Sequence, residues 1–466
     1  MTPKGPRRFP DGFLWGAATS AQQIEGAVHE HGRGESVWDR FASLPGTIAD
    51  GSDASVACDH FHRWRGDLAL MREIGLTAYR FSVAWPRVLP RGYGAVNPLG
   101  FEFYDGLVDE LLASGITPFI TLNHWDTPQT LQDRGGWAAR DTAQAFDEYT
   151  VAVVERLGDR VRHWITHNEP WCQSMLGHEK GEHAPGHRDP AEALAVAHHL
   201  LLSHGWAVAS IRRLAPVARV GIAHLLVAVQ AASPAEADGD AARAMDGFFN
   251  RWYLDPIFRG TYPADVIADR VALGHLATAE LPFVRPGDMS TIATPIDFLG
   301  VNYYSRSVVQ AGADGCAAAV VPASPEERTA MGWEVWPQGL CDVLARIARE
   351  YRPGAIYVTE NGAAFDDGVE PSGRIVDTRR IEYLRRHLDA AHRAIDEGVP
   401  LAGYFVWSLF DNWEWAQGYE KRFGIVRVDY ATQQRTLKDS AGWYRGVIAA
   451  HGVPDEVWEP SRGGRA

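Results

Sequence analysis

The sequence has 466 residues, 46% hydrophobic and 22% charged, as expected of a globular protein with a large buried core. Lys and Arg total 45 against 59 Asp and Glu, and this net charge of −14 disfavours nucleic acid and anionic lipid as partners. We find no apolar run long enough to cross a membrane and no signal-peptide-like run in Met1–Pro10.

Short apolar runs alternate with helical stretches along the whole chain. The predicted strands are Phe13–Ala18, Ala78–Ser82, Ile116–Leu122, Val161–Thr166, Val220–His224, Asp297–Asn302, Ala355–Thr359 and Ala402–Trp407. The predicted helices are Arg63–Ile74, Phe101–Ser114, Asp141–Leu157, Ala191–Leu214, Gly339–Glu350 and Thr378–Glu397. The strands are continuous apolar runs, which is typical of strands buried on both faces. We therefore expect an α/β fold, with residues 1–466 forming one (β/α)8 TIM barrel domain with elaborated loops.

Some connections can also be predicted. Gly115, Gly354 and Gly398 each stand between a helix end and the next strand, where a left-handed cap is expected. Ala311–Met331 is rich in Ala, Gly, Pro and Glu and is predicted to be an inserted loop after the sixth strand. The stretch Ala231–Asp240 is predicted to be irregular.

The four cysteines, Cys58, Cys172, Cys316 and Cys341, are widely spaced and include no Cys-x-x-Cys pair. We interpret them as reduced thiols, which indicates a cytoplasmic protein. 

Three histidine patterns in the sequence are candidate metal ligands. They are His60-x-His62, His198-His199 and His178-Glu179…His183. The histidines of the last pattern are five residues apart, whereas a spacing of four would place both on one helix face. No Gly-rich phosphate loop and no Gly-x-Ser-x-Gly motif is present. We therefore expect no catalytic metal and no cofactor.

Polar residues follow the carboxyl ends of nearly all the predicted strands, where the active site of a (β/α)8 barrel lies. In chain order they are Gln23 and Glu25, Arg80, His124-Trp125-Asp126, His167-Asn168-Glu169, Asn302-Tyr303-Tyr304, Glu360-Asn361, and Trp407 with Glu414 and Trp415. Glycosidic bond hydrolysis needs an acid and a second carboxylate on the opposite face of the sugar. Glu169 and Glu360, from opposed strands four and seven, meet that need. The 17 Trp residues suit the apolar faces of sugar rings.

These residues carry a family resemblance over essentially the whole chain, and the ordered set of motifs is specific. The matching motifs are Phe9-Pro10-x-x-Phe13-x-Trp15-Gly16, Ala18-Thr19-Ser20-Ala21, Gln23-Ile24-Glu25-Gly26, Tyr79-Arg80-Phe81-Ser82, His124-Trp125-Asp126, Asn168-Glu169-Pro170, Asn302-Tyr303-Tyr304, Thr359-Glu360-Asn361-Gly362 and Trp407-Ser408-Leu409-x-Asp411-Asn412-x-Glu414-Trp415. The chain resembles the bacterial β-glucosidases of glycoside hydrolase family one.

The resemblance implies a role for each carboxylate. Glu360 would be the nucleophile that forms a covalent glycosyl-enzyme, and Glu169 the acid that then serves as base. Asn168 would bond the sugar 2-hydroxyl. Arg80 and Tyr304 would keep Glu360 ionised and oriented. By the same resemblance Asn302 would support Glu169.

The resemblance also implies the sugar-binding residues. Gln23, His124, Trp407 and Glu414 would fix the hydroxyls of the non-reducing-end sugar, with Trp125 and Trp415 beside them. Trp333 resembles the indole on which the leaving group rests. The family tends to hold a strained peptide bond at the position of Trp407-Ser408.

Two contrasts bear on the substrate. Relatives acting on 6-phosphosugars carry Ser at the position of Glu414 and Tyr at that of Phe423, whereas Lys421 occurs in both branches. A carboxylate at 414 would repel a phosphate dianion, which favours unphosphorylated sugars. Plant thioglucosidases replace the acid with Gln, so Glu169 favours ordinary O-glycosides. Gln22 and Asn123 stand where the family commonly has an aromatic and a Tyr, which leaves sugar preference open.

The sequence thus predicts a retaining, exo-acting β-glycosidase, most simply a β-glucosidase acting on small β-glycosides or short oligosaccharides, as in cellulose breakdown. Retention requires about 5–5.5 Å between the carboxyl groups, against about 6.5–9.5 Å for inversion. A transglycosylase on the same site, a non-catalytic sugar-binding protein and a metal-using barrel enzyme are the alternatives. The choice among glucose, galactose and fucose stays open, and so does the oligomeric state.

Overall fold

The computed structural model describes residues 7–312, 319–320 and 324–454. Eight parallel strands close into a barrel in chain order, so the predicted (β/α)8 fold is confirmed. The strands are β1 (Leu14–Ala18), β2 (Ala78–Ser82), β3 (Thr117–Asn123), β4 (His163–Asn168), β5 (Arg219–Leu225), β6 (Phe298–Asn302), β7 (Ile356–Asn361) and β8 (Leu401–Trp407). The extent of one domain over residues 1–466 stays a prediction.

Helices surround the barrel. Those of eight or more residues are His60–Ile74, Pro98–Ala113, Arg140–Leu157, Pro190–Leu214, Glu236–Asp246, Trp252–Arg259, Ala264–Ala272, Pro337–Glu350, Thr378–Asp396 and Asp439–Ala450. Shorter α-helices are Ala21–Ile24, Val37–Ala42, Trp85–Val88, Gln129–Gln132 and Asp288–Ile292, with π-helices at Cys172–Lys180 and Gly247–Arg251 and 3-10 turns at Gly136–Ala138, Pro325–Glu327 and Trp415–Gln417. All six predicted helices are present. Five begin one to three residues earlier than predicted, and three of these begin at Pro98, Pro190 and Pro337, because the missing N–H of proline costs no helical hydrogen bond at a first position.

Short strands lie outside the barrel. Arg7–Arg8 pairs with Gly452–Val453, Val426–Val428 pairs with Arg435–Leu437, and Ala228–Ala231, Arg306–Gln310 and Ala319–Val320 form a three-stranded sheet. 

The interior of the barrel is filled at its lower end by aromatic rings. Phe119 of β3 lies 4.9 Å from Phe405 of β8 and 5.2 Å from Tyr357 of β7 between ring centroids, and it stacks on His163 at 4.1 Å. These residues are buried or nearly so and close the bottom of the barrel. The predicted site residues lie at the opposite end, at the carboxyl ends of the strands.

Two sequence predictions of local structure were wrong. Gly354 does not adopt a left-handed conformation; Arg352, at φ 51°, takes it instead, whereas Gly115 and Gly398 do at 71° and 88°. The stretch Ala231–Asp240 is not wholly irregular, since Glu236–Asp246 is a helix. That helix buries none of its residues, and its apolar residues are four alanines and Met245, so it offers few large apolar side chains by which to recognise a core-facing helix in sequence.

The predicted loop Ala311–Met331 falls partly outside the described residues, which exclude 313–318 and 321–323. Its remaining residues include the Pro325–Glu327 turn, and the backbone of Arg328 forms an antiparallel β-bridge with that of Glu334.

Within the described residues, one helix, Pro190–Leu214, is long and apolar enough to cross a membrane, but 83% of its most apolar window is buried inside the protein. It packs as a core helix against the helix Arg140–Leu157.

Register irregularities occur at the carboxyl ends of β4 and β7. The pairing of β4 with β5 shifts between Ile165 and Asn168, and the pairing of β7 with β6 shifts between Val358 and Glu360. Such irregularities change the direction in which the following side chains point. They stand directly at Glu169 and Glu360, the two carboxylates on which the predicted chemistry depends.

Candidate active site

A cavity of about 910 Å³ opens at the carboxyl ends of the barrel strands. Most of the predicted site residues line it: His124, Trp125, Asn168, Glu169, Tyr304, Trp333, Glu360, Trp407, Glu414 and Trp415. Three others, Gln23, Arg80 and Asn302, are almost completely buried and hydrogen-bond to the lining residues Glu414, Glu360 and Glu169 respectively. The structure thus brings every predicted site residue to one place.

Glu360, at the end of β7, is held by a cation and a phenol. Arg80 Nη1 donates to Glu360 Oε1 at 2.7 Å, and the Tyr304 hydroxyl donates to Oε2 at 2.6 Å. Burial raises the pKa of Glu360, while the Arg80 charge and the Tyr304 hydrogen bond act in the opposite direction. Both predicted contacts are present, although they offset burial only in part.

Among the residues that the structure describes, Glu169 has no cationic partner of its own. Asn302 Nδ2 donates to Glu169 Oε1 at 2.7 Å, and the thiol of Cys172 lies 3.1 Å from Oε2. Burial and the charge of Glu360 raise the pKa of Glu169 to about 8. Its backbone is left-handed, with φ 47°, a conformation that costs a non-glycine residue about 1 kcal/mol or more. Glu169 is therefore held in place by its surroundings and protonated at neutral pH.

The environments of the two carboxyls therefore decide which of them loses its proton first. Both are buried, but only Glu360 receives hydrogen bonds from a guanidinium and a phenol. Because two close carboxylates resist ionising together, the pair holds its first negative charge on Glu360 and its proton on Glu169. An acid and a carboxylate that line the same cavity are the two groups that glycoside hydrolysis requires.

Asn168 connects the two halves of the site. Its Oδ1 accepts from Arg80 Nη2 at 2.6 Å and from Asn302 Nδ2 at 2.9 Å, and its Nδ2 lies 3.0 Å from His124 Nε2. With the Asn168 oxygen occupied by two donors, its amide nitrogen must donate to His124, which places the imidazole proton on Nδ1. Burial holds the pKa of His124 well below its usual range, so this imidazole is neutral.

Gln23 and Glu414 form a second polar unit at the far wall. Gln23 Nε2 donates to Glu414 Oε2 at 3.2 Å and to Asn412 Oδ1 at 3.0 Å. Burial and the charges of Glu360 and Glu169 raise the pKa of Glu414 to about 8. In the free protein Glu414 is thus mostly a neutral acid at pH 7. Repulsion of a phosphate by a carboxylate at this position is therefore weaker than the sequence argument assumes.

Aromatic rings cover the wall beside these groups. The His124 ring is nearly parallel to those of Trp407 and Trp415, each with its centroid 5.8 Å away, and the Trp125 centroid lies 4.5 Å from that of Trp415. Trp333 stands across the cavity, 5.3 Å from Tyr304. The peptide bond Trp407-Ser408 is cis, at the position the resemblance indicates. Flat apolar faces beside hydroxyl-binding groups suit a sugar ring.

Gln22 and Asn123 do not line the cavity. Gln22 bonds Asp39 at 2.8 Å and receives a bond from Arg33 at 2.9 Å. Asn123 donates to Gln173 at 2.8 Å and lies 2.9 Å from His167. The Gln22 side chain is thus bonded at both its oxygen and its nitrogen, whereas Asn123 Oδ1 is buried without a hydrogen-bond partner among the described residues.

Some cavity residues were not predicted. Trp171 and Phe249 stack at 4.4 Å, and Cys172, Glu182 and His183 also line the cavity. Trp171 and Cys172 follow Glu169-Pro170 directly, so their position next to the predicted acid could have indicated that they lie at the site. Phe249 belongs to a π-helix distant in sequence, and nothing in its local pattern marks it.

Comparisons with known proteins agree with this geometry. The family model described as Glycosyl hydrolase family 1 matches residues 6–453. Beta-glucosidase A of Thermotoga maritima is 47% identical over 450 residues, covering 96% of this chain and 99% of that protein. A bifunctional beta-D-glucosidase/beta-D-fucosidase of Bifidobacterium breve is 42% identical, covering 95% and 98%. The solved structure of a Thermotoga maritima beta-glucosidase in complex with deoxynojirimycin superposes with a TM-score of 0.92 at 47% identity, covering 96% and 99%.

Proposed function

The chain belongs to glycosyl hydrolase family 1, and from that membership and its site we propose that it is a retaining, exo-acting β-glucosidase. The observation that carries the proposal is the unequal environment of the two cavity carboxyls. Glu360 receives hydrogen bonds from Arg80 and Tyr304, whereas Glu169 receives them only from the neutral groups of Asn302 and Cys172. 

The first step forms a glycosyl-enzyme. The Glu360 carboxylate attacks the anomeric carbon, while Glu169 transfers its proton to the glycosidic oxygen, so the leaving alcohol departs neutral. One C–O bond breaks as the Glu360 ester bond forms, and Glu169 is left anionic. Arg80, released from its charge partner, keeps its hydrogen bonds to Asn168, to the Thr121 hydroxyl and to the Thr359 carbonyl.

The second step uses the same groups in reverse. Because the ester of Glu360 carries no charge, the pKa of Glu169 falls and its carboxylate can accept a proton from water. The water oxygen attacks the anomeric carbon from the face the alcohol left, and the Glu360 carboxylate is released. Two inversions give net retention.

The glycone is an unphosphorylated sugar. Glu414 and Gln23 supply hydrogen bonds to hydroxyls at the closed end, and Phe423, almost fully buried beside them, offers no hydrogen bond to a phosphate. Glucose is the preferred sugar in this proposal, in line with the relatives named above, one of which also has β-D-fucosidase activity. Short glucans from cellulose are natural substrates of such a site.

We also propose that the protein acts in the cytoplasm, which three buried free thiols, Cys58, Cys172 and Cys341, support. Cys316 lies outside the described residues. The absence of nucleic acid and membrane partners is part of the same proposal and rests on the negative net charge. Cell fractionation with an activity assay tests the location.

Variants at the two carboxyls test the function. Glu360→Gln should lower kcat by about 10⁴-fold or more on every β-glucoside. Glu169→Gln should lose most of its activity on alkyl glucosides and far less on dinitrophenyl glucoside, whose leaving group needs no proton. Glu182→Gln, a carboxyl of the same cavity wall, is the matched control and should keep kcat within a few-fold. Equal losses for Glu360→Gln and Glu182→Gln would contradict the proposal.

A further inference from the structure

Two histidines and a glutamate meet outside the catalytic cavity. His178 lies in the last turn of the π-helix Cys172–Lys180, His187 lies in the following loop, and Glu192 lies in the first turn of the helix Pro190–Leu214. His178 Nδ1 lies 2.5 Å and His187 Nδ1 2.6 Å from the same atom, Glu192 Oε1. One donor atom from each side chain lies within 4.8 Å of the other two.

The backbone around this cluster is fixed by hydrogen bonds. The amide of His187 donates to Gly177 O at 2.9 Å, and the amide of Asp189 donates to His178 O at 2.7 Å. The Asp189 side chain in turn accepts from the amides of Ala191 and Glu192, which caps the helix. The three side chains are therefore brought together by a paired loop and a capped helix, before any ligand binds.

From this convergence we propose that His178, His187 and Glu192 bind one divalent transition metal ion, with Zn²⁺ as the reference ion and water completing its coordination. Imidazole and carboxylate are preferred zinc ligands, at about 2.0–2.2 Å from the ion. A tetrahedral site of that size separates its ligand atoms by about 3.3 Å. Each nitrogen–oxygen separation must therefore lengthen by less than 1 Å, which movements of the half-exposed His187 ring and of the partly exposed Glu192 carboxylate can supply while His178 stays in place.

Binding changes the protons of the cluster. A ring nitrogen that now donates its hydrogen to Glu192 must present a lone pair to the metal instead. The hydrogen moves to Nε2 of the same ring or leaves to solvent, so the ion replaces two N–H···O bonds with three metal–ligand bonds. The side chain of His178 is buried and that of His187 is 43% exposed, so one ligand is fixed and the ion can enter from the open side.

This cluster differs from the His178-Glu179…His183 pattern seen in the sequence. Glu179 instead pairs with Arg270 at 3.0 Å, and His183 lines the catalytic cavity. The true partners of His178 are nine and fourteen residues further along the chain, brought near by the loop. That loop carries Glu182 and His183, so a bound ion would fix one wall of the cavity without touching Glu169 or Glu360.

Calorimetric titration of the chelator-treated, full-length protein with ZnCl₂ tests the proposal. We expect one saturable site per chain, and we expect His187→Gln to weaken it by about tenfold or more. His187 is half-exposed, so this variant should fold; Glu192→Gln should act in the same direction. His62→Gln is the matched control, because His62 is also half-exposed and lies between two carboxylates, Asp59 and Glu30. It should leave zinc affinity unchanged.

Thermal unfolding gives a second readout. Zinc should raise the Tm of the wild type and of His62→Gln, and EDTA should reverse the gain, because a ligand that binds only the folded state stabilises it. Zinc should not raise the Tm of His187→Gln to the same extent. Absence of saturable binding, or equal binding by wild type and His187→Gln, would overturn the proposal. Loss of activity is not needed for either result, so failure here leaves the proposed hydrolase untouched.

Discussion

Arg80 lies against Glu360 with its Nη1 2.7 Å from Oε1, and both side chains are almost fully buried. The second guanidinium nitrogen of Arg80 bonds Asn168, so one side chain orients the nucleophile and its neighbour. A lysine at this position would keep the charge but could not make both bonds. 

We therefore expect Arg80→Lys to lower kcat by about a hundredfold. The weaker contact should raise the pKa of Glu360, which must be ionised to attack, so the acidic limb of the kcat/KM profile should move to higher pH. Rates across pH, with circular dichroism as a folding control, measure this. An acidic limb that stays in place would show that Arg80 does not set the ionisation of Glu360.

Cys172 affects the basic limb of the kcat/KM profile, which reports the ionisation of Glu169. Its thiol lies 3.1 Å from Glu169 Oε2, and donation to that oxygen favours the ionised acid. Cys172→Ala should therefore raise the pKa of Glu169 and move the basic limb to higher pH, with less than about a tenfold change in kcat because a thiol is a weak donor. Cys341→Ala, another buried thiol but distant from the cavity, is the control and should leave the profile unchanged. A shift to lower pH would contradict the donor role of the thiol.

Ionisation of the buried Glu414 carboxyl is expected to lower the free energy of unfolding as pH rises. Its pKa is about 8 in the folded protein against an ordinary value of 4.5, so the folded state binds more protons between these pH values. The free energy of unfolding must then fall as pH rises through that window. Glu414→Gln removes this penalty, and its Tm should exceed that of the wild type by about 2 °C or more at pH 8. The difference should shrink towards pH 5. A gain that is equal at both pH values would argue against a raised pKa.

The wild type should discriminate against phosphorylated sugars. We expect kcat/KM on nitrophenyl 6-phospho-β-glucoside to be about a thousandfold below that on nitrophenyl β-glucoside, because a buried dianion would lack hydrogen-bond partners there. The β-fucoside, which lacks the 6-hydroxyl, should remain a substrate. A panel of nitrophenyl glycosides measures these ratios. Similar rates with and without the phosphate would contradict the assignment of Glu414 and Phe423.

The barrel could be predicted because each strand is an apolar run that contrasts with the helices around it. The polar residues after the strands could be assigned to one site because the carboxyl ends of parallel strands converge, whereas their individual roles were implied by the family resemblance. What sequence could not supply were distances and local environments. The charge at Glu414 is an example: a glutamate looks anionic in sequence, yet burial beside two carboxyls raises its pKa to about 8.

The missed features share one physical cause, which is dependence on contacts distant in sequence. The helix Glu236–Asp246 buries none of its residues, and Met245 is its one large apolar side chain, so the sequence gives little sign of a helix packed on a core. The partnership of His178 with His187 and Glu192 depends on a loop and a helix start, not on spacing along one helix. The predicted separation of about 5–5.5 Å between the carboxyls of Glu169 and Glu360 stays a prediction.

Trapping the intermediate tests the central claim most directly. A 2-deoxy-2-fluoro-β-glucoside with a dinitrophenyl leaving group slows hydrolysis of the glycosyl-enzyme, so the intermediate accumulates and can be digested for mass spectrometry. We predict one fluoroglucosyl group per chain, attached to Glu360 in the peptide that contains Thr359-Glu360-Asn361. An adduct on Glu169 or Glu414, or turnover of ordinary glucosides with no adduct at all, would contradict the account.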